Sequence, residues 1–226
     1  MISVAIDGPS GAGKSTLSRR AAAALGYLYI DTGAMYRAVG LAAVRAGLAA
    51  DDTAGIAALA DTVTVSLAAG ENGQRVLLDG EDVTGLIRTE EVSRYASVVS
   101  AVPEVRAMLL GTQRKLAQEQ NILMDGRDIG TVVLPDAQVK IYLTASAEER
   151  ARRRYAELVE RGEPADYETV YADLVERDYR DTHREIAPLR QSADAILLDT
   201  TQNTFEESFQ LLLNTIKERI AQCSIE

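Results

Sequence analysis

GPSGAGKS, at residues 8–15, lies between two stretches that have different hydrophobic patterns. The preceding residues 1–6 are a short apolar run rich in β-branched side chains, which predicts a buried strand. From Ser15 onward, apolar residues recur at helical spacing until Gly26, which predicts a helix that stops there. The sequence therefore predicts a strand, a glycine-rich turn and a helix in immediate succession.

The glycine-rich turn matches the pattern G-x-x-x-x-G-K-[ST], which is typical of a phosphate-binding loop. Glycines allow successive backbone N–H groups to point at phosphate oxygens, and the following helix adds its positive end. The Lys14 ammonium group can then reach the β- and γ-phosphates, while the Ser15 hydroxyl can ligate magnesium. A chance glycine-rich turn is the alternative, but only roughly 1% of chains of this length would contain the pattern. We therefore predict that the protein binds a nucleoside triphosphate.

Strand patterns alternate with helix patterns along most of the chain. Further strands are predicted at 27–30, 122–125, 139–143 and 195–198, and helices at 34–46, 90–100, 104–120, 147–160, 167–181 and near the C-terminus. Ser146 and Glu149 have the spacing of a capping box. Residues near 61–83 contain turn pairs at Asn72-Gly73 and Asp79-Gly80, which predict a small antiparallel insert. Five strands that alternate with helices imply an α/β fold with a parallel sheet covered on both faces.

The composition excludes several classes of protein. The 226 residues include 24 basic and 34 acidic side chains, and the net charge of −10 argues against binding of nucleic acid polymers. A single cysteine, Cys223, excludes a disulfide framework and a cysteine-based zinc site. No stretch approaches the roughly 18 consecutive apolar residues of a membrane helix, and the N-terminus lacks the features of a signal peptide. We therefore expect a cytoplasmic protein with no membrane partner.

The sequence contains more arginine than one triphosphate requires. Arg127 lies in Asp125-Gly126-Arg127-Asp128, directly after a predicted buried strand, at the carboxyl edge where parallel sheets hold their ligands. An arginine there can bind a second phosphate group bidentately, although a purely structural turn is the alternative. A GTPase switch normally also has an N-K-x-D segment, which is missing from this sequence. These features favour a kinase whose acceptor is a small molecule that carries a phosphate.

Several segments together resemble the bacterial cytidylate kinase family. They are residues 8–16 (GPSGAGKST), 31–37 (DTGAMYR), 125–133 (DGRDIGTVV) and 177–181 (RDYRD), followed by Arg184 and by APL at 187–189. The likeness covers essentially the whole chain in order and includes the predicted insert. Many families share the phosphate loop, whereas the Gly-Arg-Asp segment and residues 177–189 are far more specific to this one. Thr32 stands where the family often has serine, and it keeps a hydroxyl donor.

The resemblance implies an enzyme that transfers the γ-phosphoryl group of ATP to CMP or dCMP. It also implies a P-loop NTPase core with a five-stranded parallel sheet flanked by helices, an antiparallel β insert that binds the monophosphate, and a short helical lid. We accordingly expect one monomeric kinase domain over residues 1–226. Within it, the core would take 1–58, 103–146 and 189–226, the insert 59–102, and the lid with adjoining helices 147–188.

The resemblance further assigns roles to individual residues. ATP would be bound by the phosphate loop and by lid arginines, namely Gly8, Pro9, Ser10, Gly11, Ala12, Gly13, Lys14, Ser15, Thr16, Arg150, Arg153 and Arg154. The CMP phosphate would be bound by Arg37, Arg127 and Arg184, the cytosine by Ser97, Arg106 and Asp128, the ribose by Arg177 and Asp181, with Tyr36 and Thr32 beside the nucleotide. The catalytic residues would be Lys14, Arg127 and Arg154. The cofactor Mg2+ would be ligated by Ser15, with Asp125 acting through water.

Elementary chemistry supports some of these roles and leaves alternatives for others. Asp128 complements the exocyclic amino group of cytosine, and a uracil carbonyl at the same place would cost about 1–3 kcal/mol. Arg106 complements the acceptors of cytosine, although an exposed position on a helix is the alternative. Arg177 and Asp181, four residues apart, could simply form an intrahelical pair worth about 0.3–0.5 kcal/mol. Asp125 could cap the next turn instead of serving magnesium.

Two other functions remain open from the residues alone. A P-loop kinase for UMP or for a metabolite that is not a nucleotide would share the first 30 residues and differ at Asp128 and Arg106. A nucleotide-dependent switch would hydrolyse ATP slowly without an acceptor.

Overall fold

The computed structural model describes residues 1–70 and 73–223, and the chain divides into two compact units. The first unit contains Met1–Tyr29 and Gln120–Glu226, and the second contains Ile30–Glu119. The insert predicted at 59–102 falls inside the second unit. The finer division into core, insert and lid stays a prediction.

Strands and helices follow one another in the predicted order. In chain order they are β1 (Ser3–Asp7), α1 (Lys14–Leu25), β2 (Leu28–Asp31), α2 (Thr32–Arg45), α3 (Thr53–Leu59), β3 (Val65–Gly70), β4 (Gly73–Leu78), β5 (Glu81–Asp82), α4 (Glu90–Val99), α5 (Pro103–Glu119), β6 (Ile122–Gly126), a π-helical turn (Ile129–Val133), β7 (Val139–Thr144), α6 (Ala147–Glu160), α7 (Tyr167–His183), β8 (Ile196–Asp199) and α8 (Phe205–Cys223).

The five-stranded parallel sheet has the strand order β2-β6-β1-β7-β8, which confirms the predicted α/β fold. In this register Ile6 lies opposite Asp125, and Asp7 lies opposite both Gly126 and Tyr142. Parallel strands end at the same edge of a sheet, so the carboxyl ends of β1, β6 and β7 place their polar residues side by side.

The core of the first unit consists of apolar side chains from the central strands and from α1 and α8. Val4, Ile6 and Leu123 on the strands are fully buried, as are Leu212 and Ile216 on α8. Such near-continuous apolar strands are characteristic of a parallel sheet that is covered on both faces. Packing of this kind fixes the strand ends from which the phosphate loop and residues 125–128 emerge.

The second unit contains the predicted antiparallel meander, with strand order β3-β4-β5. The turn predicted at Asn72-Gly73 lies partly outside the described residues. A separate apolar core joins α2 to α4, and the two helices approach closely at Gly40. A Cβ atom on Gly40 would lie 3.0 Å from the backbone nitrogen of Ala96, so only glycine allows this approach without a shift.

Three local features differ from the sequence prediction or were not predicted. The short helix α3 and the π-helical turn at Ile129–Val133 have no counterpart among the predicted elements. The predicted capping box is formed only in part. Ser146 Oγ accepts the N–H of Glu149 at 3.2 Å, but the Ser146 N–H does not donate to the Glu149 carboxylate. The Ser146 N–H donates instead to Thr201 Oγ1 at 2.9 Å, and the Glu149 carboxylate pairs with Arg153. A tertiary partner distant in sequence thus replaces a local one.

Among the helices of the described residues, none combines the length and the apolar character needed to cross a membrane.

We predict opposite effects on stability for two helical glycines of the second unit. Gly40→Ala should lower the free energy of unfolding by about 1–3 kcal/mol, because the added methyl group meets the backbone of α4. Gly111→Ala is the matched control, since its methyl group would enter open space on α5 and should raise stability by about 0.5–1 kcal/mol. Urea denaturation measures both. Equal effects of the two substitutions would contradict the close packing of α2 against α4.

Candidate active site

The phosphate loop runs from the end of β1 to the start of α1 and has a backbone that requires glycine. Gly8 has a φ of +150°, and a Cβ atom there would lie 2.0 Å from the carbonyl oxygen of Leu143 on β7. Gly13, directly before α1, has a φ of +82°. The loop therefore lies tightly against the sheet edge and leads directly into the positive N-terminal end of α1.

Lys14 is buried, and its Nζ donates a hydrogen bond to the carbonyl oxygen of Pro9 at 2.7 Å. The ammonium group thus lies within the loop that would surround a phosphate. Burial lowers the pKa of Lys14 well below its ordinary value, and the charge of Arg127 adds to this effect, while Asp125 and Asp7 oppose it. An anionic ligand in the loop would favour the charged form.

Asp125 connects the phosphate loop to β6. Its Oδ2 accepts a hydrogen bond from Ser15 Oγ at 2.8 Å, and its Oδ1 accepts one from the Tyr29 hydroxyl at 2.9 Å. The described residues contain no group of three or more acidic, histidine or cysteine side chains that could hold a metal. Mg2+ commonly binds through one or two protein oxygens together with waters and substrate phosphates. The adjacent hydroxyl and carboxylate fit that pattern.

Asp7 is a buried carboxylate that the sequence analysis did not single out. Its two oxygens accept the backbone N–H groups of Ile129 at 2.7 Å and Gly130 at 2.8 Å, at the start of the π-helical turn. Burial raises the pKa of Asp7 to about 6, despite the lowering effect of these two bonds. Asp7 thereby attaches the end of β1 to the segment that follows Arg127 and Asp128. Its position between an apolar strand and the first loop glycine was the available sequence signal.

Arg127 and Asp181 form an ion pair within the first unit. Arg127 Nε donates to Asp181 Oδ2 at 2.8 Å, and the Asp181 side chain is only 6% exposed. Although burial disfavours the charge of Asp181, Arg127, Arg177 and Arg184 hold its pKa below the ordinary value. Asp181 thus bonds a residue 54 positions away, and the intrahelical pairing with Arg177 considered from the sequence stays a prediction.

Arg184 and Asp128 form a second buried pair. Arg184 Nη2 lies 3.5 Å from Asp128 Oδ1, and the side chains of Arg184 and Asp128 are only 8% and 6% exposed, respectively. Arg184 Nε donates to the carbonyl oxygen of Ala187 at 2.7 Å, which holds the guanidinium at the C-terminal end of α7. The structure therefore brings Arg127, Asp128, Asp181 and Arg184 into two neighbouring pairs.

The three arginines predicted to lie over ATP occupy different environments on α6. Arg153 and Arg154 are partly exposed and form ion pairs with glutamates of the same helix. Arg150 is buried, and its Nη1 donates to the carbonyl oxygen of Ser10 in the phosphate loop at 2.9 Å. Its guanidinium thus bonds the loop itself.

In the second unit, Arg37 is held by the carboxylate that begins its own helix. Asp31 Oδ1 accepts the N–H of Ala34 and caps α2, while Oδ2 accepts Arg37 Nη2 at 2.9 Å. Although burial disfavours its charge, Arg37 holds the pKa of Asp31 below the ordinary value. Among the described residues, the buried Nε of Arg37 has no hydrogen-bond partner. This nitrogen can donate to a ligand.

The remaining predicted residues of the second unit lie on α2, α4 and α5. Arg106 is buried, its Nη1 donates to the carbonyl oxygen of Ser100 at 3.1 Å, and its guanidinium lies 5.7 Å from the ring centre of Tyr36. The alternative of an exposed Arg106 is therefore wrong. Thr32 is buried in the first turn of α2, and Ser97 is half-buried on α4.

Known proteins match the chain over almost all of its length. A family model described as cytidylate kinase matches residues 4–218. A cytidylate kinase of Geobacter sp. (strain M21) is 54% identical, and the match covers 97% of this chain and 94% of the relative. A cytidylate kinase of Carboxydothermus hydrogenoformans (strain ATCC BAA-161 / DSM 6008 / Z-2901) is 51% identical, and the match covers 94% of this chain and 96% of the relative. Among solved structures, an uncharacterized protein from Eubacterium ventriosum ATCC 27560 has a TM-score of 0.51 at 11% identity over 96% of this chain and 99% of that chain, a likeness of fold alone.

We predict that Asp7 makes stability depend on pH. Its pKa of about 6 lies above the ordinary 3.8, so its contribution to stability is present below the ordinary value and is lost as the pH rises through 6. We compare the free energy of unfolding of the wild type with that of Asp7→Asn. The difference, wild type minus variant, should fall by about 3 kcal/mol between about pH 4 and pH 7. Urea denaturation across this range measures it, with the exposed Asp173→Asn as control. A difference that does not change with pH would contradict the raised pKa.

Proposed function

The chain belongs to the cytidylate kinase family, and we propose that it phosphorylates CMP with ATP through the charged groups gathered at the carboxyl edge of the sheet in its first unit. Phosphorylation of CMP is the activity of the family, and the alternatives of a UMP kinase, a metabolite kinase or a nucleotide switch are not favoured by the match. The roles of single residues, the use of dCMP and the need for Mg2+ are part of the proposal.

The donor side of the proposed site is the phosphate loop. Backbone N–H groups of the loop and the N-terminus of α1 would bind the ATP phosphates, and Lys14 would exchange its bond to the Pro9 carbonyl for the β- and γ-phosphates. Ser15 would hold Mg2+, with Asp125 beside it through water. The metal, when bound, neutralises charge that develops on the phosphates during transfer.

The two buried ion pairs support the proposed acceptor site most directly. Arg127 and Arg184 are predicted to bind the CMP phosphate, and each is paired with a carboxylate predicted to bind another part of CMP. Asp181 would take the ribose hydroxyls, and Asp128 the exocyclic amino group of cytosine. The residues proposed for three parts of one nucleotide therefore bond each other in two ion pairs.

We propose that CMP binds by exchange of these ion pairs. A nucleotide phosphate carries up to two negative charges and three acceptor oxygens, so it competes well with a carboxylate for a guanidinium group. The released Asp181 and Asp128 then become acceptors for the ribose hydroxyls and the amino group. Binding of the phosphate and of the nucleoside would support each other, because each frees the residues that the other needs.

The second unit, considered by itself, carries groups whose chemistry suits parts of CMP. The buried Nε of Arg37 supports a role in binding the phosphate, since burial of a donor that has no acceptor is costly. The Arg106 guanidinium lies 5.7 Å from the ring centre of Tyr36, and its N–H donors suit the acceptors of cytosine. Thr32 and Ser97 of the second unit would supply hydroxyl groups to CMP.

The chemical step would be an in-line transfer between two anions. The protein's main task is then to position the two phosphates and to neutralise their mutual repulsion. The proposed catalytic residues are three cations: Lys14 on the donor side, Arg127 on the acceptor side and Arg154 on the predicted lid. No covalent intermediate with the protein is required.

A monomeric state and a cytoplasmic location also remain predictions.

We predict the acceptor specificity that follows from Asp128 and Arg106. Production of ADP from MgATP should be rapid with CMP or dCMP, and kcat/KM should be roughly 10- to 100-fold lower with UMP, because uracil presents a carbonyl where Asp128 needs a donor. AMP and the absence of an acceptor should both give little ADP. A coupled ADP assay with the five conditions in parallel makes the measurement.

Each deviation from this pattern has a distinct meaning. Equal turnover with CMP and UMP would contradict the role of Asp128 in base recognition while leaving a kinase. Production of ADP at the same rate without an acceptor would contradict the proposed function, because it would indicate a hydrolase or a switch.

A further inference from the structure

The Arg150 guanidinium joins three segments of the first unit that are distant in sequence. Its Nε donates to the carbonyl oxygen of Ala145 at 2.8 Å, at the end of β7, and its Nη1 donates to that of Ser10 at 2.9 Å, in the phosphate loop. The same Nη1 lies 2.6 Å from Asp178 Oδ2, on α7. The Arg150 side chain is only 7% exposed, so these contacts are made away from solvent.

The tip of the phosphate loop also packs against the same two helices. Gly11 has a φ of +72°, and a Cβ atom there would lie 3.2 Å from Arg150 Cβ on α6 and 3.2 Å from Leu174 Cδ1 on α7. Ser10 and Gly11 are therefore in contact with α6 and α7 through both a hydrogen bond and close packing. The shape of the loop depends on these helices.

Asp178 provides the negative charge that allows Arg150 to be buried. A buried guanidinium without an anionic partner is strongly disfavoured, and loss of one partner leaves an uncompensated charge. Two backbone carbonyl groups accept hydrogen bonds from Arg150, but neither neutralises it. The ion pair with Asp178 thus holds the guanidinium where it can bond Ser10.

We propose that Arg150 and Asp178 act as a positioning pair, which holds the phosphate loop in the shape that binds ATP, and that Arg150 does not itself contact the ATP phosphates. This inference rests on the proposed binding of ATP by the loop. It differs from the prediction from sequence, which assigned Arg150 to ATP directly. The pair also links the donor loop to α7, where Asp178 lies between Arg177 and Asp181, two residues proposed to bind CMP.

A comparison of ATP with ADP separates positioning from direct contact with the γ-phosphate, and Asp178→Asn, which leaves every guanidinium contact of Arg150 available, separates positioning from contact with the shared phosphates. A residue that contacts the γ-phosphate contributes to binding of ATP and not to binding of ADP. A residue that shapes the loop contributes to both, because the loop binds the phosphates that the two nucleotides share. The ratio of the two affinities is therefore the informative quantity.

The experiment measures Kd for MgATP and MgADP by calorimetry in the wild type, Arg150→Gln, Asp178→Asn and the double variant. We expect both affinities to fall by about tenfold in Arg150→Gln, the effect of about one hydrogen bond to a charged group, with their ratio unchanged. Asp178→Asn should weaken both nucleotides in the same direction, and the double variant should be no weaker than Arg150→Gln, because the two residues act as one unit. The exposed Asp173→Asn, on the same helix, should match the wild type.

Three results would overturn the inference. They are a loss of ATP affinity with unchanged ADP affinity in Arg150→Gln, wild-type affinities in Asp178→Asn, and additive losses in the double variant. Thermal melting of each variant checks that it is folded, and the isosteric Asp178→Asn provides the test if Arg150→Gln is unfolded. A wild type that binds ATP but does not transfer phosphate to CMP would overturn the proposed function and leave this inference standing.

Discussion

The buried charges at the carboxyl edge of the parallel sheet impose the constraint on which the site depends. A charge that leaves water needs a partner of opposite sign or several hydrogen bonds, and otherwise it destabilises the fold. Lys14, Asp125 and Arg127 are all largely buried here; Lys14 bonds the Pro9 carbonyl within the phosphate loop, whereas Asp125 and Arg127 bond groups on distant segments of the first unit. Their mutual compensation therefore fixes both the shape of the phosphate loop and the placement of the residues that follow β6.

The same compensation explains how arginines suited to a nucleotide phosphate can be buried in the first unit. Arginines that must neutralise a nucleotide phosphate would repel one another if they were left without counter-ions. Asp181 and Asp128 supply that counter-charge within the first unit, and their own proposed roles toward ribose and cytosine begin only when they are released. A phosphate without its nucleoside would pair the arginines but leave these two carboxylates unsatisfied, which favours the complete nucleotide.

Much of the fold could be predicted from the sequence because its strands are apolar runs with clear breaks, and the phosphate loop has a specific pattern. The π-helical turn could not be predicted, since Asp7, 122 residues away, satisfies the N–H group that begins it. Likewise, the Ser146 N–H bonds Thr201 rather than Glu149. Arg150 has the sequence context of an exposed helical arginine, and only the packing of α6 shows that it is buried. Local patterns predict local structure, whereas these partners depend on the tertiary arrangement.

The binding of inorganic phosphate to Asp181→Asn tests the exchange of ion pairs most directly. Loss of the carboxylate charge leaves Arg127 available, so inorganic phosphate should bind about tenfold more tightly than to the wild type, the effect expected for one bond between charged groups. The same variant should bind CMP more weakly, because its ribose contact is lost. Calorimetric titration with phosphate and with CMP gives both values. If Asp181→Asn binds phosphate no more tightly than the wild type, Asp181 does not compete with the nucleotide phosphate for Arg127, and the account of the acceptor site is wrong.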